Sequence, residues 1–224
     1  MKTPRPFQFS YTKLSTFKDV CQYQFFRTYI KGDIPYVATE AMEAGKQAHT
    51  ALQYRVSGGK PLPESMRQWE HFAAPFDGKG ARTELELAIT RDGRPTEKFA
   101  ADVWGRAVVD VAVLYQNRAM IFDWKTGNSK YEKPFELEIH ALMLKIHNPQ
   151  IERVSGSFVW LKDNRMGTPY ELSHFDKTWV KISKIVGEIE ACSASGEWRK
   201  NATPLCAWCR VFDCENNSNP NREE

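Results

Sequence analysis

The chain has 224 residues, 42 % of them apolar and 26 % charged, with a net charge of +3. That length supports one sizeable core, and no apolar run approaches the roughly 20 residues needed to span a bilayer. The small positive excess permits a polyanionic partner without demanding one.

The first fifteen residues carry basic groups with no apolar segment behind them. This argues against a secretory signal and leads to the expectation of a cytoplasmic protein. Residues 10–30 bring Leu14, Phe17, Cys21 and Phe25 to three- and four-residue spacing. That is the pattern of one amphipathic helix, capped by Ser10 or Thr12 and ended by Gly32, Asp33 and Pro35. A second helix is expected over 40–57, stopped by Gly58 and Gly59, then loops around a short helix near 64–73. The pattern changes to strands over 82–90, 97–103, 105–115 and 119–125, with Gln116, Asn117 and Arg118 as a hairpin turn. Helical spacing returns at 132–147, a strand pair is expected at 152–162 and 168–173, and a long helix at 176–194. Residues 215–224 are polar and expected to be disordered. Helices, an antiparallel meander, a helix, more strands and a helix predict one mixed α/β or α+β domain over 1–214.

The strand Ala107–Tyr115 carries one charge, Asp110, in an apolar run. A lone buried carboxylate is costly unless a cation or hydrogen-bond donors meet it. On the next strand, alternation puts Asp123 and Lys125 on one face and Phe122 and Trp124 on the other. If the intervening turn has an even number of residues, Asp110 lies opposite Asp123, with Cβ atoms about 5 Å apart. Two bare carboxylates repel at that distance, and a divalent cation between them reverses the interaction. Lys125 would then project beside the metal, where an ammonium offsets the charge of a phosphoryl transition state. An ordinary Asp–Lys ion pair at a strand end is the other reading of the same spacing.

These residues also carry a resemblance. Gly105 to Asp110 followed by Asp123-Trp124-Lys125-Thr126-Gly127 resembles the G-x-x-x-x-D and D-x-K-T-G signature of RecB-type nucleases in the PD-(D/E)XK superfamily. Gly45 to His49 matches that family's G-x-x-x-H element, and Ser10 to Cys21 resembles its opening. The resemblance covers about residues 8–214 and implies an α/β restriction-endonuclease-like core, a central mixed sheet flanked by helices. It implies that His49, Asp110, Asp123 and the Trp124 backbone carbonyl bind Mg²⁺ or Mn²⁺, with Lys125 as the catalytic lysine. It implies a DNA nuclease, exonuclease more than endonuclease, of phage or bacterial recombination, repair or replication. A nuclease of CRISPR spacer acquisition and a non-catalytic DNA-binding module are the alternatives. The sequence departs from the family at Glu136 to His140, where Q-x-x-x-Y is common: the one-turn spacing is kept and the residue types are not. Glu84, Glu86, Glu136 and His140 are therefore candidates for a supporting role only. His71, His147 and His174 have no motif behind them.

Five cysteines in a chain without a secretory signal argue against a disulfide framework. Cys21 together with Cys206, Cys209 and Cys214 resembles the one-plus-three plan by which some RecB-type nucleases hold a [4Fe–4S] cluster. Zinc, or no metal at all, are the other readings. Lys60, Arg67, Arg82, Arg91, Arg106, Arg118, Lys130, Lys133 and Lys162 are candidates for phosphate contacts, the loop Thr126–Lys130 most of all. Nothing suggests a base-reading helix, so DNA binding with little sequence specificity is expected.

Overall fold

The computed structural model describes residues 7–223; residues 1–6, which hold most of the basic N-terminal stretch, and Glu224 lie outside it. In chain order the α-helices are α1 (Tyr11–Ser15), α2 (Gln22–Phe25), α3 (Glu40–Gly58), α4 (Glu70–Ala73), α5 (Phe135–His147) and α6 (Phe175–Ser195). The strands are β1 (Arg82–Thr90), β2 (Pro95–Thr96), β3 (Val103–Tyr115), β4 (Arg118–Lys125), β5 (Arg153–Trp160), β6 (Arg165–Met166) and β7 (Tyr170–Glu171). Among the described residues, no helix is long and apolar enough to cross a membrane. The contacts divide the chain into two compact units, one built on Ala38–Thr178 and the other on Phe9–Val37 with Trp179 onward.

The first unit is a seven-stranded sheet in the order β2-β1-β3-β4-β5-β6, with β7 also paired to β5. Helices flank it, as the resemblance implies for this fold. Its pairings are antiparallel except β4 with β5, which run parallel. The parallel pair replaces a simple continuation of the meander because α5 intervenes. A crossover of helix length returns the chain to the same end of the sheet, where a tight turn would reverse it.

Two strand boundaries differ from the sequence expectation. Residues 97–101 are not a strand: only Pro95 and Thr96 pair with β1, opposite Ile89 and Ala88. Trp104 does not separate two strands: β3 runs unbroken from Val103, with Gly105 inside the ladder opposite Ile89. One sheet face carries Val111, Trp124, Val159 and Leu161, packed with Ala48 and Leu52 of α3 and with Phe72 and Phe76. Arg55 of α3 is buried, and its guanidinium donates to Glu70 (2.7 Å) and Asp77 (2.7 Å), which ties α3 to the short helical segment after it.

In the second unit the single helix expected over 10–30 is broken. α1 and α2 are each followed by a π-helical turn, Thr16–Val20 and Phe26–Lys31, and Cys21 between them is extended (φ −161°, ψ 123°). Wide turns of this kind interrupt helices at sites where a side chain is re-aimed. The three- and four-residue spacing nevertheless selects the buried side: Leu14, Phe17 and Phe25 are all buried. Phe17 and Phe25 meet Trp198 at 6.4 and 5.9 Å between ring centres. Arg27 donates to both Asp33 and Asp213, joining the two stretches of chain that make up this unit. The polar tail expected to be disordered contains a buried amide: Asn217 donates to the carbonyls of Cys209 and Val211.

Candidate metal centre

The β3–β4 turn is two residues, Gln116 and Asn117, rather than three; Arg118 is the first residue of β4 and pairs with Tyr115. The even turn sets the register from Tyr115–Arg118 to Val111–Phe122. Extended by one residue, it puts Asp110 opposite Asp123. The strands part at that point, and the Trp124 N–H donates to Asp110 Oδ2 at 2.8 Å instead of continuing the ladder. Both carboxylates are buried, Asp110 to 8 % exposure and Asp123 to 3 %.

Around this parting the donors form two neighbouring groups. In one, ligand atoms of His49, Glu84 and Asp110 lie within 4.8 Å of one another. His49 Nδ1 is 3.4 Å from Asp110 Oδ2. In the other, Asp123, Glu136 and His140 lie within the same limit. Lys125 is tied to the second group: its ammonium is 2.6 Å from Asp123 and 2.7 Å from Glu136, and lies over the Phe158 ring at 5.4 Å. The sequence expectation puts one ion between Asp110 and Asp123; in the structure each of these carboxylates also has a histidine and a glutamate beside it.

Each element places its residue for a local reason. α3 presents His49 above Asp110 because it comes very close to the loop after β4: a Cβ added to Gly45 would stand 3.1 Å from Thr126 Oγ1. The glycine of one motif thus makes room for the threonine of the other. On α5, Glu136 and His140 are one turn apart and point to the same strand, as i and i+4 positions do. Glu84 sits opposite Asp110 in the β1–β3 register but has a left-handed backbone (φ +48°). Such a conformation is strained for a residue with a side chain and clusters at functional sites. No sequence signal announces it. Glu86 is exposed, pairs with Lys98, and lies outside both groups. His147 bonds the Ala88 carbonyl at 2.8 Å, and His71 packs on Phe72.

The electrostatics is that of a site short of positive charge. Burial raises the Asp123 carboxyl to about 8, against the pull of Lys125. Burial opposes the charge on Lys125, but Asp123 and Glu136 outweigh it and the ammonium is held more firmly than usual. Burial, then the Asp110 charge, pushes Glu84 up. Burial also works against protonation of His49, but its contact with Asp110 prevails and raises it. Burial lowers His140, so its ring is neutral, and its buried Nδ1 has no hydrogen-bond partner among the described residues. Clustered carboxylates and a neutral, unpartnered imidazole nitrogen are what a divalent cation accepts.

Comparison with known proteins now bears on this geometry. The family model described as the PD-(D/E)XK nuclease superfamily matches residues 8–214. The chain belongs to the PD-(D/E)XK nuclease superfamily. Nucleases of this superfamily are metal-dependent enzymes acting on DNA, and the two donor groups fit that chemistry. No curated protein matches the chain. Among solved structures it is similar to one described as "Crystal structure of SSO0001", at 13 % identity over 86 % of this chain and 95 % of that one, with a TM-score of 0.40.

The buried carboxylate has a measurable consequence. Folded Asp123 keeps its proton to a higher pH than the unfolded chain does. Between about 4 and 8 the unfolded chain therefore binds fewer protons, and this residue's contribution to stability falls as pH rises. Asp123→Asn removes that dependence. In chelator, the stability of the variant relative to the parent is expected to increase steadily from pH 5 to about pH 8. Urea melts at several pH values test this; a constant difference would mean that Asp123 is already ionised at pH 5.

Proposed function

We propose that this chain is a RecB-type DNA exonuclease with little sequence specificity. In this reading His49, Asp110, Asp123 and the Trp124 carbonyl hold Mg²⁺ or Mn²⁺, with Glu84, Glu136 and His140 beside them. The observation that carries the reading is the pair of donor groups joined through the Trp124 N–H, one of them ending on an unpartnered buried imidazole nitrogen. A bound divalent ion would supply Lewis-acid polarisation of the phosphodiester and a water of lowered pKa. The protein's own contribution is to orient and to balance charge. Hydrolysis forms a P–O bond from water and breaks a P–O ester bond, gathering negative charge on the phosphoryl oxygens. Lys125, fully protonated at neutral pH, is the cation set to offset that charge. Glu136 and Phe158 hold the ammonium in place.

The test is Mn²⁺-dependent digestion of end-labelled linear DNA beside covalently closed circular DNA. An exonuclease releases label from the linear form and leaves the circle intact. Nicking of the circle would make the enzyme an endonuclease, and no digestion of either form would remove the nuclease reading.

The same proposal includes a [4Fe–4S] cluster on Cys21, Cys206, Cys209 and Cys214. In its support, all four line one cavity of the second unit. Backbone N–H groups face two of the sulfurs, Asn201 onto Cys21 and Thr203 onto Cys206, both at 3.5 Å. Burial raises the Cys209 thiol, an effect that a metal bound to the thiolate reverses. Anaerobically purified protein is expected to be brown, with about four iron atoms per chain, and Cys206→Ser to be colourless. A colourless, iron-free parent that digests DNA would remove the cluster and keep the nuclease.

A further inference from the structure

The outer face of α3 forms one wall of a groove that the hydrolytic chemistry does not use. Its volume is about 410 Å³, and it is lined by Glu43, Lys46, Gln47, Thr50 and Tyr54 of α3 and by Lys60, Pro61 and Pro63 of the segment that follows. Lys46, Thr50 and Tyr54 are spaced four residues apart, so they form one stripe along the helix. The opposite wall is set by the backbone. Gly59, in the left-handed region (φ +65°), caps the C-terminus of α3, and two prolines fix the direction of the chain beyond it.

We infer that this groove binds an unpaired DNA strand, with a base stacked on Tyr54 and the backbone phosphates on Lys46 and Lys60. The inference rests on the nuclease reading for its choice of ligand. The chemistry of the groove makes the case. Tyr54 is 49 % exposed, an aromatic face presented to solvent at the mouth of a cavity. The Lys60 ammonium lies over the ring, 4.7 Å from its centre, so the cation and the aromatic face share one surface. Lysines interleaved with an aromatic ring are the pattern by which single strands are held without regard to sequence. The body of a duplex does not satisfy it, because an internal paired base has both faces inside the stack and must be unstacked to reach a side chain. The charge balance also fits a polyanion: two lysines against Glu43 alone. The groove and the metal centre draw on one helix: Lys46 precedes His49 by three residues, about 4.5 Å along the helix axis.

Binding is measured by fluorescence anisotropy in chelator, so that no hydrolysis takes place, with a short labelled oligo-dT strand and a blunt duplex of the same length. Tyr54→Ala is expected to weaken strand binding about tenfold and to leave duplex binding within about twofold. Tyr54→Phe keeps the stacking face and is expected to bind the strand as the parent does. Lys46→Ala combined with Lys60→Ala is expected to lower the slope of log affinity against log salt by about 1.4 for the strand. Equal loss on strand and duplex in Tyr54→Ala, or no loss on either, would overturn the inference. So would an unchanged salt slope in the lysine pair. A separate digestion assay keeps the two readings apart: strand binding through Tyr54 in a protein that cuts no DNA retains the groove and ends the nuclease.

Discussion

Asp123→Ala is expected to reduce Mn²⁺-dependent DNA digestion by at least about 10³-fold while the protein remains folded. Asp123 is 3 % exposed and shares its pocket with Glu136 and the neutral ring of His140. Its loss would remove one of two carboxylates proposed for the metal and would free Lys125 to settle on Glu136 alone. Folding should survive for the reason that activity should not. Burial disfavours the Asp123 charge, and Lys125 counters it. Removing the carboxylate also leaves no uncompensated cation, because Glu136 still pairs with Lys125 at 2.7 Å. Digestion measured beside a thermal melt in chelator separates these effects. A folded Asp123→Ala protein of parental activity would end the assignment of this site.

Trp124→Ala is expected to cost about 3–5 kcal/mol of stability, the range for truncating a fully buried large aromatic. Trp124 is 1 % exposed, between two residues of the site that face the other way. It packs with Leu52, Phe76, Val111 and Val159, and its ring meets Phe76 at 6.3 Å in an edge-on contact. For a protein of this size each kcal/mol lowers the melting temperature by about 2–4 °C, so a drop on the order of 10 °C is expected. Urea melts of parent and variant in chelator measure it. A cost under about 1 kcal/mol would mean that the core on the α3 face closes over the gap and does not hold the strand in place.

How much of this was legible in the sequence depends on how far along the chain each relation reaches. Alternation on β4 separates Asp123 and Lys125 from Trp124, and the structure keeps that separation because a strand has period two. The one-turn spacing of Glu136 and His140 marked a helix face, although their residue types did not match the family pattern. The buried face of residues 10–30 was readable in the same way. Cys21 was not readable as a helix break, since its neighbours have ordinary helical spacing and the extended backbone shows only in three dimensions. The backbone of Glu84 was unreadable for a similar reason: its place beside Asp110 comes with a left-handed φ inside a strand, which no residue type there announces.

Residue order alone tells which residues alternate on a strand, which share a helix face, and which motifs follow one another. It also supplied the superfamily, because those motifs are local. Long-range packing sets the grouping of Asp110 and Asp123 each with a histidine and a glutamate, the parallel run of β4 and β5, and the cavity that Cys21 shares with Cys206, Cys209 and Cys214. The physical reason is one of range. Periodicity and turn chemistry act over a few residues, whereas close approach of distant segments is set by how helices and sheet pack once the chain has closed its long loops.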